Sequence, residues 1–204
     1  EILTLVLMGL AALSILAGSL LLLAQTDMKR LLAYSSISHA GYALLGLIGG
    51  TPEGAEATMT YAFFYVFMTL GTFGVIVALG ERGENLDGYH GLATQRPVVA
   101  ALMLLFVLSL TGIPPTAGFA AKFVVIGSAV RAGYTGLAVL AVACSVVSAF
   151  IYMRVVVLMY MREPQEPAPA RFPVAVSAVL ALAALVTLIG GIAPGSFVVW
   201  AVAP

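Results

Sequence analysis

Charge is scarce in this chain. Asp, Glu, Lys and Arg together make up 9% of its 204 residues, whereas 62% are hydrophobic and the mean hydropathy is +1.10. That balance lies far outside the soluble globular range and excludes water as the main solvent of the folded protein. Nine basic residues face nine acidic ones, so no net field draws the chain to nucleic acid or to an anionic surface. Lipid and other membrane proteins are the expected partners. The single cysteine, Cys144, excludes an internal disulfide framework and a multi-thiolate metal site; inside an apolar run it is expected to pack as a small hydrophobe. A dinucleotide glycine fingerprint, a P-loop and a metal-ligand cluster are also missing. No cofactor and no metal is therefore expected in this chain, and electron transfer cannot be located in it. An initiator methionine, a basic n-region and a signal-cleavage pattern are absent before the first apolar run. Two readings fit that start: a chain that begins partway through a longer one, or a signal peptide removed before Glu1.

What remains is apolar run after apolar run. A bilayer core of about 30 Å needs roughly 20 helical residues, and six runs of that order are separated by polar segments. They predict an all-α integral membrane protein with spans at Ile2–Ala24, Leu31–Gly50, Ala57–Leu79, Pro97–Ala129, Tyr134–Met161 and Phe172–Ile192. The connections are Gln25–Arg30, Thr51–Glu56, Gly80–Arg96, Val130–Gly133 and Arg162–Arg171. Every acidic residue falls in a connection or at Glu1, as expected if carboxylates are kept out of hydrocarbon. Lys29, Arg30, Arg82, Arg96, Arg162 and Arg171 lie in the odd connections and only Arg131 in the even ones. By the positive-inside rule the odd connections face the cytoplasm or its equivalent, and both chain ends face the other side. The proline- and charge-rich Arg162–Arg171 segment reads as an extended linker. The organisation expected is thus residues 1–161 as a five-helix unit, 162–171 as a cytoplasmic linker and 172–204 as a terminal helix and tail, with Trp200 as an interfacial anchor.

The fourth run is too long for one straight crossing and is interrupted by Thr111-Gly112-Ile113-Pro114-Pro115-Thr116-Ala117-Gly118. Two prolines remove two amide donors, so the helix is predicted to break within Leu110–Gly118. A proline kink that only shapes packing is one reading. A discontinuous helix lining a buried polar cavity, as in transporters, is the other. Lys122 follows the break nine residues before Arg131, which at 1.5 Å per residue places it about 13 Å below the boundary. An ammonium at that depth is costly unless solvated. Proton relay and a static structural role are both open to it.

The second run holds the other intramembrane titratable group. Ser35, Ser38, His39, Tyr42, Gly46 and Gly49 fall on one stripe at helical spacing, with Ala33, Ile37, Leu44 and Ile48 opposite. His39 is a packing residue on the bland reading and a proton carrier on the sharper one. Tyr61 and Tyr65 share a face of the third run and fit either a water chain or packing. Lys29 and Arg30 read as boundary anchors, with Lys29 also placed to deliver protons at the mouth of a path. Arg154 is expected to snorkel toward Arg162. No catalytic role falls to His90.

The stretch Gln25-Thr-Asp-Met-Lys-Arg-Leu-Leu-Ala-Tyr-Ser-Ser-Ile-Ser-His-Ala-Gly-Tyr42 closely resembles the signature of the proton-translocating antiporter-like subunits of respiratory complex I and of multisubunit sodium/proton antiporters. Within that family, Ser109-Leu-Thr-Gly-Ile-Pro-Pro-Thr-Ala-Gly-Phe-Ala-Ala-Lys-Phe123 looks most like the subunit N branch. The resemblance covers nearly the whole chain and implies the last six helices of the family fold: the second of two inverted five-helix repeats, with its broken helix, plus one terminal helix. It further implies that Lys122 is the terminal lysine of a proton path, on the broken helix, and His39 a member of the central polar axis; the residues themselves put Ser35, Ser38, Tyr42, Tyr61, Tyr65 and Lys29 in support and Gly112, Pro114, Pro115 and Gly118 in the break. NADH, flavin, iron–sulfur clusters and quinone are implied for the wider complex only. Other membrane-arm subunits of complex I, adjacent antiporter-like subunits among them, are the implied partners, and a bacterial cytoplasmic membrane, or a mitochondrial inner membrane, the implied location. A free-standing antiporter subunit and a structural scaffold are the competing functional classes.

Overall fold

The computed structural model describes residues 2–165, 167 and 173–193. Within them the chain is helical, with one isolated bridge, Asp27 to Asn85, in place of any sheet. Helix α1 spans Ile2–Leu23 and α2 spans Met28–Leu47. Asp27 starts α2: its carboxylate accepts the Arg30 amide at 2.8 Å, satisfying one of the donors that every helix start leaves free. Helix α3 covers Pro52–Leu79. It begins earlier than the expected Ala57 because Thr51 and Pro52 form a cap. The Thr51 hydroxyl accepts from the Gly54 amide at 3.1 Å, and proline suits the first helical position.

The expected connection Gly80–Arg96 is itself ordered, with two 3₁₀ turns, Gly80–Glu84 and Leu86–Tyr89, and a short helix α4 at Leu92–Gln95. It is tied to both neighbours, since the Leu86 amide bonds Thr26 O at 2.9 Å and the Gly91 amide bonds Leu158 O at 3.1 Å. Burial pushes the Tyr89 phenol up, keeping it a donor to Gly83 O at 2.9 Å.

The fourth expected span is two helices, α5 at Pro97–Thr111 and α6 at Ala117–Arg131. Helices α7, Thr135–Met161, and α8, Val174–Ile192, follow. By length and apolarity α1, α3, α7 and α8 can each cross a membrane, and α5 is a shorter apolar helix. The six expected spans thus correspond to α1, α2, α3, α5 with α6, α7 and α8. Glu1, residues 166 and 168–171 of the expected linker, Phe172 at the start of the sixth expected span, and residues 194–204 with Trp200 lie outside the described residues.

The helices pack so that α2, α3 and α6 share the interior, with α1 along α2, α7 against α1, α5 and α6, and α8 on α3 and α6. Close approach of α1 and α2 depends on glycine: a Cβ on Gly18 would lie 2.4 Å from the Ser38 amide nitrogen, and one on Gly41 2.9 Å from Ala11 O. Helix α8 seats Gly190 against Phe64 and Gly191 against the Pro115 carbonyl, beside the break. The outside is apolar. Ile2, Phe150 and Val174 are 81%, 72% and 85% exposed, a surface suited to lipid or to other membrane proteins rather than to water.

Candidate functional site

The site begins where α5 stops. Gly112 adopts a left-handed conformation with φ +89°, and its amide bonds Leu108 O and Ser109 O, both at 3.0 Å. The Ile113 amide returns to Leu108 O at 3.0 Å, so a glycine-capped C-terminus closes two of the last four carbonyls. Leu110 and Thr111 remain. In a continuous helix their partners would be the amides of residues 114 and 115, and both of those are prolines without an N–H.

Lys122 supplies what the prolines lack. Its ammonium, on α6, donates to Leu110 O at 3.1 Å, to Thr111 O at 2.9 Å and to Ser145 Oγ at 2.9 Å. Three donors meet three acceptors. Ser145, from α7, donates in turn to Thr111 O at 3.0 Å. The negative end of α5 and the face of the Tyr42 ring, 4.7 Å from Nζ, add further compensation for a side chain that is only 6% exposed. Among the described residues no carboxylate meets the ammonium. Gly112 leaves room for the lysine stem, since a Cβ there would lie 2.9 Å from Lys122 Cδ. Gly118 lets α6 start against α5: its amide bonds Ser109 Oγ at 3.0 Å, and a Cβ would collide with Ser109 O.

Tyr42 connects this cradle to His39. The Tyr42 and His39 rings are 6.0 Å apart, the Tyr61 hydroxyl meets His39 Nδ1 at 2.7 Å, and Tyr65 stacks on the imidazole at 4.7 Å. Tyr65 donates to Ser36 at 2.7 Å. The sequence stripe of α2 is therefore the inward face, with Ser35, Ser38, His39 and Tyr42 buried, while Ala33 and Ile37 face outward. Ile48 departs from that division, being 2% exposed, because the helix end is enclosed by its neighbours.

Helix α7 answers α2 hydroxyl for hydroxyl. Ser35 pairs with Tyr152; Ser38 meets Ser19 of α1 at 3.1 Å, and Ser19 accepts from Ser148 at 3.2 Å; Tyr42 faces Ser145 and donates to Ala141 O at 2.7 Å. The rungs recur about once per turn, or roughly every 5 Å, and descend to Lys122. Sequence reasoning missed Ser19, Ser145, Ser148 and Tyr152. The signal for the three on α7 was the i, i+3, i+7 spacing of 145, 148 and 152 within an apolar run; Ser19, the one of the four on α1, had none.

A cleft of about 610 Å³ between α6 and α7 reaches the cradle, with Lys122, Ser145 and Gly112 at one end and Arg131 at the other, walled by Phe123 and Val146. Lys29 stands apart from this buried line, paired with Glu84 at 2.5 Å on an exposed surface. Arg154 is exposed on α7 beside a separate groove that also contains His90 and Arg162. Cys144 is buried and lends its carbonyl to Ser148 at 3.0 Å.

The family described as NADH:quinone oxidoreductase/Mrp antiporter, TM, matches residues 1–152. A relative from Desulfovibrio desulfuricans, NADH-quinone oxidoreductase subunit N, is 46% identical over a 209-residue alignment that covers 94% of this chain and 41% of the relative. A chain in the structure of respiratory complex I from Thermus thermophilus with bound aureothin is 36% identical at a TM-score of 0.85, covering 95% of this chain and 44% of its own length. A chain of the Mrp complex from Dietzia, 22% identical at a TM-score of 0.86 over 96% of this chain and 45% of its own length, shares the fold. This chain spans about two fifths of the length of the curated relative.

Proposed function

The chain belongs to the NADH:quinone oxidoreductase/Mrp antiporter membrane family, and from that premise we propose that it is part of a proton-translocating membrane-arm subunit of an NADH:quinone oxidoreductase. The observation that carries the proposal is the buried Lys122 ammonium at the helix break, held by two backbone carbonyls and a serine, with no carboxylate among the described residues to fix its charge. An ammonium satisfied by neutral acceptors can lose a proton without leaving an unpaired carboxylate behind. Lys122 and His39, with Tyr42 between them and Tyr61 and Tyr65 on the imidazole, gather polar groups along one line through an apolar bundle. Ser35 and Ser38 extend it along α2, Lys29 delivers protons from the surface where it pairs with Glu84, and Gly112, Pro114, Pro115 and Gly118 shape the break.

In this reading quinone reduction happens in other subunits, which hold the NADH, flavin and iron–sulfur chemistry, and changes in their charge drive proton exchange at Lys122. Adjacent antiporter-like subunits cover the apolar faces. The membrane is the bacterial cytoplasmic one, with the Gly80–Arg96 and Arg162–Arg171 connections on the cytoplasmic side. Residues 1–161 act as the five-helix repeat, 162–171 as the linker and 172–204 as the terminal helix and tail.

Affinity purification of the full-length protein from its native membrane tests the assignment. Copurification with NADH:quinone reductase activity and iron–sulfur subunits is expected. Recovery instead in a complex that performs sodium-dependent proton exchange without them would assign the chain to an antiporter.

A further inference from the structure

The three hydrogen bonds of Lys122 are not chemically equivalent. Two end on peptide carbonyl oxygens, Leu110 O and Thr111 O, which accept hydrogen bonds and have no proton to give. The third ends on a hydroxyl, Ser145 Oγ, the one partner in the cradle that can both accept and donate. The Tyr42 ring meets Nζ with its face and not with its oxygen. A neutral amine keeps two N–H donors and gains one lone pair. Both carbonyl bonds can therefore survive deprotonation, while the serine bond must reverse: Ser145 then donates to Nζ instead of to Thr111 O. Position agrees with chemistry, because Ser145 is half-buried and lines the same cleft between α6 and α7 that Lys122 lines.

Resting on the proposed relay role of Lys122, we infer that Ser145 is the proton-transfer partner through which Lys122 exchanges its proton with water in that cleft. In the release direction the Nζ–H bond facing Ser145 breaks as a new Oγ–H bond forms. For this the serine O–H first turns from Thr111 O to a water molecule in the cleft, and as the proton arrives from Nζ the original O–H breaks toward that water. The positive charge passes from the ammonium to that water, the serine is regenerated and the lysine is left neutral with its two carbonyl bonds intact. Uptake is the reverse. The two carbonyls hold the nitrogen in place, and the serine alone changes hydrogen-bond direction.

The test uses the complete assembled complex in membrane vesicles, with protons translocated per quinone reduced as the readout and assembly checked separately. Ser145→Thr and Ser145→Val present nearly the same volume and differ in the hydroxyl; Ser145→Ala removes it without adding bulk, and Lys122→Met is measured alongside. The valine and alanine variants are expected to lose at least about half of the translocation that Lys122→Met loses, and the threonine variant to retain wild-type translocation. Wild-type translocation by Ser145→Val and Ser145→Ala while Lys122→Met is impaired would overturn the serine step and leave the lysine relay standing. Equal impairment in the threonine and valine variants, or failure of both hydroxyl-free variants to assemble, would make Ser145 a packing residue and overturn it as well. Unimpaired translocation by Lys122→Met would remove the relay reading itself.

Discussion

At the scale of single residues, the cradle depends on atoms with little freedom. Gly112 combines φ +89° with a Cβ position 2.9 Å from Lys122 Cδ. Gly112→Ala is expected to cost about 1–3 kcal/mol through left-handed strain, before any displacement of the lysine. Thermal unfolding of the purified complex should show the loss, and an unchanged midpoint would mean that the turn relaxes freely. Tyr61→Phe removes one bond to His39 and leaves the ring in place, so roughly 1 kcal/mol and a preserved assembly are expected. His39, Tyr42 and Lys122 were legible in the sequence because titratable or polar groups stand out against hydrocarbon. Ser145, Ser148 and Ser19 were not, since a serine in a transmembrane run has the same hydropathy whether it joins helices or contacts an ammonium. Only the partner across the interface separates the two.

At the scale of elements, the broken α5–α6 pair shows how a local sequence rule produces a site. The prolines were expected to end a helix; α5 ends at Thr111 with Gly112 as its cap, and α6 begins at Ala117. What the linear pattern could not show is that the two carbonyls they free are the ones Lys122 binds, because that requires α6 to fold back beside α5. Pro114→Ala combined with Pro115→Ala restores two amide donors that compete with the lysine for Leu110 O and Thr111 O. The expected outcome is a structure in which α5 extends past Thr111 and the Lys122 bonds to those carbonyls are lost, with translocation falling. Retention of both lysine bonds in that structure would refute the competition. The start of α3 is the opposite case. Thr51 and Pro52 were readable as a cap, yet apolar-run length placed the start at Ala57, because hydropathy marks where lipid begins and not where the hydrogen-bond ladder does.

At the scale of the whole molecule, an apolar exterior surrounds a polar axis, the reverse of a soluble domain. Hydropathy gave the order of the long apolar runs, since each had to be buried in lipid or protein, but it did not mark the short helix α4 or the two 3₁₀ turns of the Gly80–Arg96 connection. It left open how α8 packs, and small residues settle that by admitting α8 against α3 and the break. Orientation rests on the uneven distribution of basic residues. A cysteine at Asn85, in the exposed part of the Gly80–Arg96 connection, is expected to react with a membrane-impermeant thiol reagent only from the cytoplasmic side. Labelling from the opposite face alone would reverse the topology.

The central claim is that Lys122 must gain and lose a proton, and two substitutions of similar length isolate that property. Lys122→Met keeps the stem and abolishes titration, while Lys122→Arg keeps a positive charge that is held too tightly to release. Protons translocated per quinone reduced, measured in vesicles containing the assembled complex, should fall in both and further in the methionine variant, with a smaller loss for His39→Ala because ordered water can replace an imidazole in a polar stripe. Wild-type translocation by a fully assembled Lys122→Met complex would contradict the account and leave Lys122 as nothing more than the cap of a broken helix.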